Sequence, residues 1–172
     1  MQTDLSKQLT ELIPRLRRFA SGLDGSADRG DELVQAACER LLSHHARLRP
    51  DTRLDSWMYR VIRNLHVDMI RAQSVRDRGA QQIRLVGESQ TNRSNGLEDH
   101  VHLYDVHDAM QQLPEEQRAV LMLICVEGLS YKEAAEVLQV PMGTVTSRLI
   151  RGRKALVSLL DQDTESELEV SK

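Results

Sequence analysis

Apolar residues recur at steps of three and four along most of the chain, and this period predicts amphipathic helices. One stripe runs from Leu5 to Leu23, a second from Leu33 to Leu42 and a third from Trp57 to Ala72. Polar and charged residues occupy the other faces of each helix. Because amphipathic helices bury their apolar faces against one another, we expect these three to form one compact unit.

Short sequence signals indicate where these helices begin and end. Pro14 falls inside the first stripe, where it marks either a kink or a fresh start. The run LDGSADRGD then breaks the pattern. Asp31 is the expected N-cap of the second helix, with Glu32 in its first turn. The run SHHARLRPDTRLD is predicted to be a loop before the third helix.

A polar stretch divides the chain. GESQTNRSNGLEDH, which begins at Gly87, is rich in Gly, Ser and Asn and has no apolar period, as is typical of a flexible linker. We therefore predict an all-α protein made of two small helical domains. The first domain covers residues 1–84, the linker 85–104, the second domain 105–162 and an acidic tail 163–172.

The second domain begins with two helical segments and a strong capping signal. Val106–Leu113 has a helical pattern, Pro114 is the expected first residue of the next helix, and Gly128 is well placed to end that helix. Ser130 and Glu133 match the capping box, in which each side chain bonds to the other residue's backbone N–H.

A helix-turn-helix pattern follows. A short helix with Ala134 and Ala135 precedes the turn QVPMG, and a longer helix is predicted from about Thr144 to Leu160. The expected buried side of that helix consists of Val145, Leu149, Gly152 and Leu156. The opposite side carries Thr144, Ser147, Arg148, Arg151 and Lys154. Arginine can bind guanine edges, and Ser, Thr and Lys can hold phosphates, so this face has the chemistry of a major-groove reader.

This basic helix contrasts with the charge of the whole chain. The 172 residues carry a net charge of -3 and have a sequence pI near 6.1, with acidic residues concentrated in the linker and the tail. An ordinary solvated amphipathic helix is the alternative interpretation of the basic face. The capping box, the alanine pair, the Pro/Gly turn and the basic face together favour DNA binding.

Composition narrows the class of protein further. Aromatic residues make up 3% of the chain, so aliphatic side chains must build the core, which favours small helical units. Cys38 and Cys125 lie in apolar helical patterns, which indicates buried free thiols and a reducing cytoplasm. The N-terminus has no continuous apolar run like that of a signal peptide, and no run of about 18 apolar residues could span a membrane. We therefore expect a cytoplasmic protein without a membrane partner.

Taken together, these motifs resemble a known family. LPEEQRAVLMLICVEGLSYKEAAEVLQVPMGTVTSRLIRGRKAL is similar to domain 4 of the extracytoplasmic-function (ECF) sigma factors, small specificity subunits of bacterial RNA polymerase. DELVQAACERLL resembles the family's polymerase-binding helix in domain 2. LDSWMYRVIRNLHVDMIR resembles its promoter-melting helix, which reads the -10 element. The resemblance covers nearly the whole chain in the family's order, and it implies a sigma factor that initiates transcription at specific promoters.

The resemblance implies roles for three groups of residues. The -35 element would be bound by Thr144, Thr146, Ser147, Arg148, Arg151 and Lys154. The -10 element and its separated strand would be held by Arg49, Arg53, Trp57, Arg60, Arg63 and Asn64. Core polymerase would be bound by Asp31, Glu32, Leu33, Gln35, Glu39 and Arg40.

Single-stranded DNA requires positive charge along its backbone and a pocket for an unstacked base, which suits the loop at 45–53. A core anchor is the alternative role for Trp57, and a solvated face is the alternative for Arg60 and Arg63. The partners implied are core RNA polymerase at its clamp and flap regions, promoter DNA and an anti-sigma factor. No cofactor is implied, and catalysis would belong to the polymerase.

Two positions depart from the family's pattern. Many relatives have Gly where Gln139 stands, and a left-handed conformation costs a non-Gly residue about 1 kcal/mol, so the turn is expected to differ slightly. A Lys common in relatives is replaced by Thr146, which removes one possible phosphate contact. Promoter sequences known for relatives therefore do not transfer to this chain.

Other chemistries find little support. His100, His102 and His107 have a spacing that fits no compact structural zinc site, so no metal is expected. The sequence has no nucleophile elbow, phosphate-binding glycine loop or HExxH motif, so we do not expect an enzyme. Two other hypotheses stay open, namely a LuxR-type helix-turn-helix regulator and a sigma mimic that sequesters an anti-sigma factor.

Overall fold

The computed structural model describes residues 2–49, 51–80 and 106–170, and within them it gives the side chains of 5–46, 48–49, 51–76 and 106–161. An N-terminal unit contains α1 (Gln2–Asp24), α2 (Ala27–His44), a 3-10 turn (His45–Arg47) and α3 (Leu54–Ala80). A C-terminal unit contains α4 (106–112), α5 (Glu115–Leu121) with a π turn after it (Met122–Val126), α6 (Tyr131–Leu138) and α7 (Met142–Val170). The described residues form no strand, which confirms the predicted all-α class.

The ends of α1 and α2 differ from the sequence prediction. α1 continues through Pro14 without a fresh start. Gly25, with a φ of 87°, follows its last residue. The N-cap of α2 is Ser26 and not Asp31, because the Ser26 side chain accepts the Arg29 backbone N–H at 3.4 Å. Asp31 lies inside α2, where its carboxylate accepts two hydrogen bonds from Arg17.

The last helix is longer than predicted at both ends. It begins at Met142, because the Pro141 carbonyl already accepts the backbone N–H groups of Thr144 and Val145. Its backbone continues to Val170, so the acidic tail predicted from residue 163 extends the helix. The predicted linker at 85–104 lies outside the described residues.

A single contiguous core joins the two units. Buried residues from α1, α2 and α3 form one cluster with buried residues from α5, α6 and α7. Phe19 and Tyr59 pack edge to face at its N-terminal side, with ring centroids 5.0 Å apart. Trp57 is half-buried against this cluster, which agrees with its alternative role as a core anchor.

Gly22 lets the two units approach closely. A Cβ at this position would lie 2.3 Å from the Met122 methyl carbon, so in this packing the end of the Met122 side chain occupies the space that a larger residue would need. The Gln111 side chain donates to the Gly22 carbonyl at 3.0 Å, and the His107 ring lies 3.2 Å from the Gly25 carbonyl. The end of α1 therefore receives both apolar and polar contacts from the C-terminal unit.

His66 lies at the same junction and is almost completely buried. Neither ring nitrogen has a hydrogen-bond partner among the described residues, and the nearest carboxylate oxygen, from Asp24, is 3.5 Å away. Burial lowers the pKa of His66, and Arg118 and Arg29 lower it further, whereas Asp24 and Glu115 oppose the shift. The folded chain therefore holds this ring in its neutral form at a pH where the unfolded chain protonates it.

This burial predicts a pH-dependent stability. Below a pH of about 6.5 the His66 ring is protonated in the unfolded state but stays neutral in the folded state. The free energy of unfolding therefore falls by up to about 1.4 kcal/mol for each unit by which the pH is lowered. In urea unfolding between pH 5.5 and 7.5, His66→Leu should flatten this slope, and the exposed-site control His44→Gln should not. An unchanged slope in His66→Leu would contradict the assignment.

Candidate nucleic-acid and polymerase interfaces

The helix-turn-helix begins with the predicted capping box. The Ser130 backbone N–H donates to the Glu133 carboxylate at 2.8 Å, and the Glu133 backbone N–H donates to the Ser130 hydroxyl at 3.3 Å. α6 ends at Gln139, whose φ of 56° and ψ of 43° are left-handed. The expectation of a strained non-glycine residue at this turn is therefore confirmed in its geometry.

α7 presents the expected division of faces for most of its residues. Val145, Leu149 and Gly152 are buried, and Leu156 is half-buried. A Cβ on Gly152 would lie 3.1 Å from a methyl carbon of Leu121, so the glycine allows α5 and α7 to pack closely. The exposed side chains of the predicted -35 set are Thr146, Ser147, Arg151 and Lys154. We call these four residues the reading face.

Arg148 does not belong to the reading face. Its side chain is only 17% exposed, and its guanidinium lies 3.5 Å from the carboxylate of Glu116 on α5. The sequence prediction that Arg148 points outward is wrong. Its side chain lies next to the buried Leu149 and leans toward Glu116 on α5. Thr144 is half-buried as well, at the start of the helix. The exposed arginine of the predicted set on α7 is Arg151, whose Nε donates to the Ser147 carbonyl at 3.2 Å.

Three of the residues predicted to hold the -10 strand contact the C-terminal unit. Arg63 makes a two-pronged ion pair with Glu115, at 3.1 and 3.2 Å. Arg60 donates to the backbone carbonyl of Glu136 at 2.9 Å. Arg53 pairs with Glu133 in addition to Asp55 in its own unit. We call Arg53, Arg60 and Arg63 the strand-contact arginines.

The other predicted -10 residues lie apart from this contact. Arg49 is highly exposed and lies 3.7 Å from Asp51. Asn64 is exposed on α3, and Trp57 packs against the core.

The predicted polymerase-binding residues all lie on α2 but do not share one surface. Glu32, Gln35, Glu39 and Arg40 are exposed, and Gln35 donates to Glu39 at 3.1 Å. Leu33 is buried in the core, so it supports the helix instead of offering a contact. Asp31 is held by Arg17, whose hydrogen bonds lower the pKa of its carboxyl.

Sequence reasoning missed a buried carboxylate at the junction of the two units. Glu127, at the C-terminal end of the π turn, has a completely buried side chain. It accepts hydrogen bonds from Arg15 at 3.2 Å, from Arg18 at 2.8 and 3.1 Å, and from the Tyr59 hydroxyl at 2.7 Å. Arg15 also donates to the Glu127 backbone carbonyl at 3.0 Å. The one local signal is a carboxylate in the apolar run LICVEGL, beside a helix-ending glycine.

Burial and the bond to Glu127 together raise the pKa of the Tyr59 hydroxyl, which therefore stays protonated and able to donate. The bond to Glu127 likewise raises the pKa of the Arg18 guanidinium. All three donors come from the N-terminal unit, and the acceptor comes from the C-terminal unit. We call this group the Glu127 cluster.

Comparisons with known proteins decide the family. Residues 103–156 match the family model "Sigma-70, region 4", and residues 9–63 match "Sigma2 domain of PhyR". The chain is 32% identical over 161 residues to the ECF RNA polymerase sigma factor EcfG of Rhodopseudomonas palustris (strain TIE-1), with 92% of this chain and 86% of that protein covered. The chain belongs to the ECF RNA polymerase sigma factors. It is a transcription factor that directs core RNA polymerase to promoters.

Two further relatives agree with this assignment. The ECF sigma factor SigE of Mycolicibacterium smegmatis (strain ATCC 700084 / mc(2)155) is 32% identical over 149 residues, covering 83% of this chain and 56% of that protein. Among solved structures, the sigma factor RpoE from Bartonella quintana, in complex with the anti-sigma factor NepR, superposes with a TM-score of 0.76 at 26% identity. That match covers 92% of this sigma factor and 97% of the Bartonella chain.

The remaining sequence expectations concern thiols, metals and membranes. The sigma factor has two free cysteines; Cys38 is partly buried, but Cys125 is exposed, so its predicted burial is wrong. Cys125 lies after the apolar stripe of α5, where the π turn rotates it toward solvent and Arg153. No cluster of metal-binding side chains occurs among the described residues, and His100 and His102 lie outside them. Within the described part of the chain, no helix is long and apolar enough to cross a membrane.

The left-handed conformation of Gln139, in the turn of the helix-turn-helix, is expected to reduce the stability of the folded chain. Gln139→Gly should raise the free energy of unfolding by about 0.5 to 1 kcal/mol, since relief of the left-handed strain exceeds the added entropy of the unfolded chain. Gln139→Ala is the matched control, because it removes the same side chain but keeps a Cβ. Urea midpoints for the three chains measure the effect, and equal midpoints for Gly and Ala would contradict it.

Proposed function

We propose that this sigma factor reads a bipartite promoter with two separate surfaces. The reading face on α7 would enter the major groove of the -35 element, together with Thr144 at the start of the helix. Four exposed polar or basic side chains project from a capped helix-turn-helix, and this observation carries the proposal. Arg151 is the expected base contact, because an exposed guanidinium can bind a guanine edge with two hydrogen bonds. Arg148 is not expected to contact a base directly, because its guanidinium pairs with Glu116 beside the reading face.

The -10 element would be held by the N-terminal unit. The strand-contact arginines, with Arg49 and Asn64, supply the positive charge and the donors that a separated strand requires. The exposed residues Glu32, Gln35, Glu39 and Arg40 on α2 would bind core polymerase at its clamp, with the flap meeting the C-terminal unit. The polymerase would perform the chemistry in the cytoplasm.

We also propose control by an anti-sigma factor. The support is the likeness to RpoE of Bartonella quintana, which was solved with the anti-sigma factor NepR. A second candidate function is that of a sigma mimic which sequesters an anti-sigma factor. The match of residues 9–63 to the PhyR sigma2 model favours that candidate. The basic reading face, which a mimic does not need, favours promoter recognition.

Run-off transcription separates these two functions. Purified sigma factor and core polymerase, supplied with promoter fragments from the source genome, should yield discrete transcripts that core polymerase alone does not make. Absence of any promoter-specific transcript under all conditions would leave the mimic as the better proposal.

Substitutions of two arginines on α7 test whether the reading face binds the -35 element. Arg151→Ala should weaken holoenzyme binding to the -35 element by about 1 to 3 kcal/mol, the worth of a good bidentate base contact. Arg153→Ala removes the same charge from an exposed site that contacts Cys125, so it serves as the control. Fluorescence anisotropy with promoter DNA measures binding, and co-purification with core polymerase should be unchanged in both variants. Equal losses in the two variants would contradict a specific role for Arg151.

A further inference from the structure

The strand-contact arginines are already occupied in the free chain. Arg63 faces the Glu115 carboxylate, Arg53 faces the Glu133 carboxylate, and Arg60 donates to the Glu136 carbonyl. All three acceptors belong to the C-terminal unit. A guanidinium bound in this way has lost the donors that a DNA phosphate would use, because carboxylates and phosphates take the same two-pronged geometry.

One of these contacts is shielded from water on both sides, since the side chains of Arg63 and Glu115 are only 20% and 17% exposed. At the contact between Arg53 and Glu133, the Glu133 side chain is 27% exposed and the Arg53 side chain is 53% exposed. The Nε of Arg60 is buried without a partner among the described residues, so its guanidinium depends on the Glu136 carbonyl for compensation. Arg60 and Arg63 therefore lie against the C-terminal unit and not on an open surface, whereas Arg53 stays half exposed.

The Glu127 cluster holds the units in this arrangement. Its carboxylate is fully buried and receives bonds from Arg15, Arg18 and Tyr59 across the junction. A buried carboxylate is tolerated only while such donors surround it. Separation of the units breaks these bonds together, whereas any one exposed ion pair could break alone.

We propose that the free sigma factor is autoinhibited, with acceptors of the C-terminal unit pairing with the strand-contact arginines and the Glu127 cluster acting as the latch. Glu115, Glu133 and the Glu136 carbonyl take the places of strand phosphates in this closed state. The inference rests on the proposed role of Arg53, Arg60 and Arg63 in holding the -10 strand. Contacts that separate the two units free Arg60 and Arg63 at once, and they leave Arg53 paired with Asp55 alone.

The first test measures the distance between the units. Spin labels are attached at Ser43 and Ser158, exposed sites on α2 and α7, in a chain with Cys38→Ala and Cys125→Ser. The parent should give one narrow distance distribution by pulsed electron resonance. Glu127→Gln, which removes the charge and keeps the size, should lengthen and broaden it. Asp108→Asn removes the same charge from an exposed site on α4 and should leave the distribution unchanged.

The second test measures strand binding by the same chains without polymerase. A fluorescent oligothymidylate of ~20 nucleotides probes the positive surface without requiring a promoter sequence. Glu127→Gln should bind it about tenfold more tightly than the parent, since a larger fraction of the chain is then competent to bind. Asp108→Asn should show only the small effect of one lost negative charge.

Arg18→Gln provides a second variant if Glu127→Gln fails to fold. Arg18 donates two hydrogen bonds to Glu127 but is 52% exposed, so its loss weakens the latch without leaving a large cavity. It should lengthen the distance in the same direction. An unchanged distance in both folded variants would overturn the latch.

If Glu127→Gln lengthens the distance between the labels but does not bind the oligonucleotide more tightly, autoinhibition is overturned. Whether the strand-contact arginines are needed in the holoenzyme is measured separately, as promoter opening by holoenzyme that carries Arg60→Ala or Arg63→Ala. If those variants open promoters normally, the proposed role of the arginines fails, and the distance measurement still decides whether Glu127 holds the units together.

Discussion

The packing of the two units depends on one buried carboxylate. Glu127 joins the C-terminal unit to Arg15, Arg18 and Tyr59 of the N-terminal unit, with no exposure of its side chain. Removing one partner of such a group leaves an uncompensated buried charge, which costs several kcal/mol, so the whole arrangement persists or fails together. The close approach at Gly22 and the shared core need the same relative placement of the units.

This constraint connects the two halves of the function. A bipartite promoter reader needs basic surfaces on both units, yet the chain has a net charge of -3. The carboxylates do more than lower the net charge, because Glu115 and Glu133 form ion pairs with arginines of the other unit. On α7 the reading face stays open, while Arg148, which lies outside that face, is drawn toward Glu116. The free chain therefore exposes its proposed -35 surface and covers part of its proposed -10 surface, because Arg60 and Arg63 lie against the other unit.

Local patterns predicted the helices because a period of 3.6 residues and a capping box are local properties, as Ser130 and Glu133 illustrate. They predicted helix ends less well, since Ser26 and Asp31 are both good N-caps and tertiary packing decides between them. The side chain of Arg148 turns inward because Glu116 lies on a neighbouring helix. Arg15 and Glu127 are 112 residues apart, so no local pattern could indicate their contact. The family resemblance implied which residues bind DNA, but not that Arg60 and Arg63 lie against the C-terminal unit.

The closed arrangement can be observed directly in the unmodified chain. The Met122 methyl group lies in the space that a side chain at Gly22 would occupy, across the junction of the two units. With methyl-labelled methionine, a nuclear Overhauser effect between the Met122 methyl protons and the Gly22 α protons is the expected result for the free sigma factor. Its absence, while contacts of Met122 within the C-terminal unit remain visible, would contradict the closed packing.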